Sequence, residues 1–517
     1  MLKRIVIACD SFKGCLSSSG VNSAVEEGVR AAGLADVEVV KFPLADGGEG
    51  TVDALVHSCG GEYVEREVCG PLAWGEFFSQ PCGQSFPEFF DGRSGQSGPA
   101  IRLRARYALI RGGRVAVIET AAASGLALLR PEERNPLLAN TFGTGELILD
   151  ALQRGCRDFI IGLGGSASND GGLGALSALG FRFLDSSGQA LAPCGASLLQ
   201  VSSVVRPEHK LLSDCTFRLA TDVRAPFSGP QGAACIFAPQ KGADPQQVAD
   251  LDSGLAHFAD LLRRSEGIDL DATPGAGAAG GLAGGLLALL PGTDSDASAW
   301  RSASAETVAA SAGPSASDDT SSSVTIVPGA DLVLSAGGFD ALLQGASLVI
   351  TGEGRIDSQT LMGKAPSAVL RRASSAGVPV IAIGGSVSAD FPLCYNAATS
   401  GSDGGSSASA VAAACSGTVL SDSPDLRSDE PAVTWAAAAC SGTMLSDSPD
   451  LRSDEPAGTL AAACSDATLS DNVQAAQPFA AVLAATPADM PLAEALRPDI
   501  ARANISRAIA SFLRPQV

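Results

Sequence analysis

Six times along the chain a short apolar run ends in a glycine-rich or polar turn: "RIVIACDSFKG", "VEVVKFPLADGGEG", "RVAVIETAAASG", "DFIIGLGGSASNDGG", "SLVITGEGRID" and "VPVIAIGGS". Runs this short, with helical spacing between them, are buried strands of βαβ units and predict a parallel sheet. Val21 to Ala32 and Pro366 to Ala376 carry such spacing, the second with Pro near its start and Gly377 at its end. The fold class is therefore α/β. In such sheets ligands bind at the carboxyl ends of the strands, where these glycine-rich loops fall.

At 517 residues the chain exceeds what one core usually fills, so two or more domains are expected. The apolar share is 45% but the aromatic share only 5%, which suits a core of Ala, Val, Leu and Ile between sheet and helix. A net charge of −21 repels phosphate backbones, and nucleic acid is excluded as a partner on that ground. The thirteen cysteines form no C-x-x-C, which predicts reduced thiols and an intracellular, cytoplasmic protein. "MLKRIVIACDSF" has too short an apolar run for a signal peptide and reads as a first strand. "GAGAAGGLAGGLLALLPG" falls short of the ~20 apolar residues of a membrane span, so no membrane segment is expected.

Three stretches of low complexity interrupt the pattern: roughly Gln80 to Pro99, Thr293 to Ser323 and Ala397 to Gln477. In the last, "CSGTVLSDSPDLRSDEPA" from Cys415 returns from Cys440 with only Val419 changed to Met444, and a partial copy starts at Cys464. A solenoid needs repeats that each stack an apolar face. These copies are Ser, Asp and Pro, and disorder is expected for 293–323 and 397–477.

The loop "IIGLGGSASNDGG" admits two readings. Gly162, Gly164 and Ala167 with Asp185 further on meet a dinucleotide fingerprint. Against it, Asp170 falls where the pyrophosphate would lie. The following "GGLGALSALG" reads as a short helix that Asn169 or Asp170 would cap. The companion loops also combine glycine with acids and cations: Asp10, Ser11 and Lys13; Asp46, Glu49 and Thr51; Glu353, Arg355 and Asp357. Open backbone amides suit an anion, carboxylates suit Mg²⁺ or a proton, and Lys or Arg neutralises phosphate. Together they describe phosphoryl transfer. The chain lacks G-x-x-x-x-G-K-[ST] and the protein-kinase motifs, so the kinase is of another type. With three histidines, none beside a cysteine, zinc sites and His-based triads lack their parts.

The motifs "ACDSFKG", "FPLADGGEGT", "VIETAAASGL", "RNPLLANTFGTGELI", "IIGLGGSASNDGG", "GPQGAACIFAPQKGA", "TPGAGAAGGLAGG" and "LVITGEGRIDSQTLMGK", in this order, resemble the glycerate kinase type-1 family. The resemblance implies transfer of the ATP γ-phosphoryl group to D-glycerate with Mg²⁺, giving 2-phosphoglycerate, with 3-phosphoglycerate the alternative product. It also implies two α/β domains, one flavodoxin-like and built from both chain ends, the other inserted into it. The expected limits are 1–65 with 285–395 and 478–517 for the first, and 66–284 for the second. Carried onto this sequence, it makes Asp170, Asp46, Lys13 and Lys241 the catalytic candidates, and Asp222, Asp170 and Asp357 the metal candidates. Asp10, Ser11, Glu49, Arg134, Asn135, Gly164, Gly165, Ser166, Asn169, Glu353, Arg355 and Lys364 are the substrate and phosphate candidates. A nicotinamide dinucleotide binder remains the less favoured reading.

Overall fold

The computed structural model describes residues 2–72, 102–208, 210–290, 323–388, 479–486 and 490–514. The expected insertions at 80–99 and 397–477, and 293–322 of the third, lie outside the described residues. The strands are β1 (Arg4–Cys9), β2 (Glu38–Lys41), β3 (Gly61–Cys69), β4 (Arg102–Ile110), β5 (Val115–Glu119), β6 (Asp158–Gly162) and β7 (Arg182–Leu184). They continue as β8 (Ser203–Val205), β9 (Thr216–Ala220), β10 (Ser323–Val327), β11 (Leu348–Ile356), β12 (Val380–Val387) and β13 (Ala481–Ala484).

Five strands form one wholly parallel sheet in the order β2-β1-β11-β12-β13. Renumbered within the sheet this is 2-1-3-4-5, the flavodoxin-like order, whose switch point lies between β1 and β11. Alternation decides which side chains go where. Ile5 and Ile7 of β1 pack with Ile350 and Ile383 under helices Ser18–Ala31 and Pro498–Leu513. Val6 and Ala8 point the other way, into a core with Leu55, Val333, Val369 and, from the second sheet, Ala108, Ile160 and Ala220. That core therefore belongs to both sheets and joins them. Where the two outer helices meet, Gly28 lets them touch: a Cβ there would lie 2.6 Å from the Ser506 carbonyl oxygen.

The second sheet has the order β3-β4-β5-β6-β9-β10. β3, β4 and β5 are joined antiparallel, and β5, β6, β9 and β10 run parallel. Its far face is covered by helices Phe142–Gln153 and Leu282–Leu289, with Pro245–Glu266 packed against the latter, over a core in which Phe159 and Phe217 stack with centroids 4.7 Å apart. The longest of these helices is well delimited. Asp244 and Gln247 make a capping box, Pro245 occupies the first turn, and Gly267 ends it at φ +75°.

The expected limits between the units meet the sheets as follows. Position 65/66 falls inside β3, and 284/285 falls inside helix Leu282–Leu289. β10, placed by the sequence pattern in the flavodoxin-like part, pairs with β9 in the other sheet. Ser323, expected at the end of an insertion, opens that strand. Five residues of alternating burial are too short to be separated from their low-complexity neighbour by composition. Among the described residues no helix is long and apolar enough to cross a membrane.

Candidate active site

The sheets meet through the ends of their strands. Loop 46–50, which follows β2, rests against the carboxyl ends of β6, β9 and β10. The Gly164 amide donates to the Gly47 carbonyl at 3.2 Å, and the Asp222 carboxylate accepts from the Gly329 amide at 2.9 Å. Gly47 has φ +88°, and a Cβ on it would lie 2.6 Å from the Ala220 carbonyl oxygen, so glycine is required twice over.

A cavity of about 1110 Å³ opens beside the β1/β11 switch point. The structure brings nine of the expected residues to its wall: Asp10, Ser11, Lys13, Asp46, Asp222, Glu353, Arg355, Asp357 and Lys364. Asp10 follows β1 directly, and Glu353, Arg355 and Asp357 lie on or just after β11, so strand ends place them. Lys13 Nζ reaches Asp46 Oδ2 at 2.8 Å, and the other Asp46 oxygen accepts from the Gly48 amide at 3.0 Å. Glu353 accepts from Thr360 Oγ1 at 2.7 Å and lies 3.7 Å from Lys364 Nζ. Asp357 lies between Lys364 at 3.5 Å and Arg355 at 3.8 Å.

Crowding of acids sets the electrostatics. Burial, and after it the Asp46 charge, pushes Asp10 up to about 7 and Asp222 up to about 8. Burial also raises Glu353. Asp222 Oδ2 is buried with no hydrogen-bond partner. Carboxylates in this state gain from a cation. Among the described residues no three acidic, His or Cys side chains stand close enough to hold a metal by themselves. Mg²⁺, however, is usually bound by one or two carboxylates together with phosphate oxygens and water, and Asp222 beside Asp46 fits that lesser requirement.

Asp170 is not brought to this cavity. It is fully buried, and one of its oxygens accepts from the Thr141 and Gly174 amides and from Thr141 Oγ1, at 2.8–3.1 Å. The other accepts from the Gly172 amide at 3.1 Å. The expected capping role is what the geometry displays, at helix Leu173–Ala178 and at the start of helix Phe142–Gln153. Asp185 is likewise taken up locally, accepting from Ser187 and from the Gln189 amide in an exposed turn. Ten residues separate β6 from the next helix, so "IIGLGGSASNDGG" does not run from strand into helix as a dinucleotide loop does.

A second polar cluster surrounds Lys241, which is 3% exposed and donates to Ser166 Oγ at 2.9 Å and to the Ser168 carbonyl at 2.6 Å. Burial lowers Lys241 to about 8, with Asp170 pulling it back upward. The fully buried Asn169 side chain has no partner on either polar atom, and Ser168 Oγ and Arg134 Nε are likewise without one. Buried polar atoms in this state are satisfied by water or ligand. Asn135 caps a local turn through the Leu137 amide, and Glu49, Gly164 and Gly165 sit on the loops that join the sheets.

The pattern of residues did not single out Glu119. It ends β5 and accepts from the Gly50 and Val52 amides of the facing loop at 3.0 and 2.8 Å, and burial pushes it up to about 7. An acid closing the apolar run "RVAVIE" repeats the arrangement of Asp10 after "RIVIAC", and that was the available signal.

The sequence profile described as the glycerate kinase family matches residues 5–79, 92–299 and 300–403. The glycerate kinase of Bacillus subtilis (strain 168) is 40% identical over 393 residues, covering 76% of this chain and 87% of its own. The glycerate 2-kinase of Escherichia coli (strain K12) is 37% identical with the same coverage. Among solved structures, that of a provisionally named glycerate kinase 2 from Salmonella typhimurium LT2 superposes with a TM-score of 0.58 at 38% identity. It covers 75% of this chain and 87% of its own. The family match spans the carboxylates and cations of the cavity wall from Asp10 to Lys364, the relatives cover about three quarters of the chain, and the chain belongs to the glycerate kinase family.

Proposed function

We propose that the protein transfers the γ-phosphoryl group of ATP to D-glycerate, giving 2-phospho-D-glycerate and ADP. The observation that carries this is the cavity at the β1/β11 switch point, walled by acids and cations of the five-stranded sheet and by Asp222 of the other. The triphosphate lies against Ser11, Lys13, Arg355 and Lys364, whose charge offsets that of the phosphates. Mg²⁺, when bound with the nucleotide, draws negative charge from the transferring group. Asp222 would hold it, with Asp10 nearby. Asp357, placed between Lys364 and Arg355, orients those two cations.

The acceptor reaches the cavity from the side of the second sheet. Its carboxylate is held by the Lys241 ammonium and the Asn169 amide, with Ser166 and Arg134 beside them. Asp170 sustains the Lys241 charge from behind and fixes the loop. The acceptor hydroxyl attacks the γ-phosphorus, its proton passes to Asp46, and the bond to the β,γ-bridging oxygen breaks to release ADP. Catalysis here is chiefly positioning and charge compensation. We place the enzyme in the cytoplasm. Purified protein incubated with ATP, Mg²⁺ and D-glycerate is expected to release ADP only when glycerate is present. Phosphorus NMR is expected to show the phosphate on O2, and a resonance on O3 would replace the product assignment. Stabilisation on heating by NADH but not by Mg-ATP would overturn the kinase reading.

A further inference from the structure

We propose that Glu119 is a positioning residue for phosphoryl transfer: it stands on one sheet and holds the catalytic loop of the other in register through the Gly50 and Val52 amides. This rests on the proposed kinase reaction. Three observations support it.

Helix Thr51–Cys59 begins at Gly50 with φ +95°, and no side chain of its own segment caps it. The Thr51 amide turns back to the Gly48 carbonyl, and the Gly50 and Val52 amides need an acceptor from elsewhere. One oxygen of Glu119, from β5, takes both amides, so the cap is supplied across the interface. Secondly, the same loop carries Asp46, whose carboxylate pairs with Lys13 and lies four residues before Gly50. A change in the seat of Gly50 therefore moves Asp46. Thirdly, Gly164 also grips this loop, through the Gly47 carbonyl, and Gly162 is packed so tightly that a Cβ on it would lie 2.8 Å from that oxygen. Loop 46–50 is thus clamped at both ends by neighbouring strands, at Gly47 by the end of β6 and at Gly50 by the end of β5. The β5 clamp is the only one of the two made by a side chain, and it is the one that substitution can release without touching the backbone.

The test compares Glu119→Gln, Glu119→Leu and Val29→Ala in the full chain. Glutamine keeps a carbonyl oxygen for the two amides, leucine keeps the volume and removes the acceptor, and Val29→Ala removes buried volume near the end of helix Ser18–Ala31, away from the cavity wall, as a control for destabilisation alone. Amide hydrogen exchange gives a readout independent of activity. Gly50 and Val52 are expected to exchange at least about tenfold faster in Glu119→Leu while β1 stays protected, and to remain close to wild type in Glu119→Gln. In the same proteins kcat is expected to fall about 100-fold for leucine, and by less than about threefold for glutamine and for Val29→Ala. Unchanged exchange in the leucine variant overturns the clamp. Faster exchange with undiminished kcat overturns the positioning role, as does an equal loss of kcat in Val29→Ala. Absence of glycerate-dependent turnover in the wild type instead removes the kinase reading and leaves the exchange result to stand or fall alone.

Discussion

Asp170 and Asp222 both follow a strand of the second sheet, yet their surroundings are opposite. Every oxygen of Asp170 is met by a donor, whereas Asp222 has one buried oxygen that none reaches. Substituting Asp170→Asn turns an amide against facing N–H groups, and the expected loss of stability is about 2–3 kcal/mol, read from urea unfolding. Substituting Asp222→Asn is expected to leave the urea midpoint near wild type. Its effect should appear as a rise of about tenfold or more in the Mg²⁺ concentration needed for half-maximal turnover. Lys241 gives a pH signature. Its folded value of about 8 lies below the roughly 10.4 of an unfolded lysine, so between these the unfolded chain holds the extra proton. Stability contributed by this group therefore rises as pH climbs from 8 toward 10, by about 3 kcal/mol at most, and below pH 8 the full penalty stands. Urea midpoints at pH 7.5, 9 and 10 are expected to show that slope in the wild type relative to Lys241→Met.

At the scale of elements, β1, β2, β5, β6, β11 and β12 were legible because each lies in a compact apolar run before a turn, whereas β3 and β4, in which charged and apolar residues are interleaved, were not. Helix Ala365–Ser375 fell within a residue of expectation because Pro and Gly punctuate it. β10 was hidden because five residues of alternating burial resemble their neighbours in composition. Residues of the cavity wall were legible where an acid directly follows a strand, as with Asp10 after β1 and Asp357 after β11. The sequence was misleading at Asp170, since a carboxylate that caps and one that binds metal have the same local sequence, and only tertiary donors separate them. Glu119 was missed because its partners lie some 70 positions back in the chain. The same long-range packing makes Gly47 a sensitive position. Gly47→Ala is expected to lower the melting temperature by several degrees and kcat with it, whereas Gly33→Ala, where no atom lies within 4 Å of the added carbon, is expected to show only the backbone strain of its φ of +92°. Differential scanning calorimetry beside steady-state kinetics separates the two.

Across the whole molecule, the shared core containing Val6, Val349, Ile160 and Ala220 makes the two sheets one packed body around the cleft. In the sequence the repeated segment falls between β12 and β13. Deleting residues 400–475 is expected to leave kcat and KM within about twofold, as judged by coupled ADP assay. The inserted unit is joined to its host at two places, where β3 begins after Gly60 and where β10 ends before Gly329. Since β3 and β10 are opposite edges of the six-stranded sheet, and these are opposite ends of two strands pointing the same way, the attachments lie at diagonal corners. Strand spacings put them roughly 25–30 Å apart. Two fixed points that far apart define a line, and any rigid rotation of the inserted unit that keeps both must turn about it. A swing about that diagonal would have to part Val6 and Val349 from Ile160 and Ala220, so the shared core, and not the connectivity alone, opposes opening of the cleft.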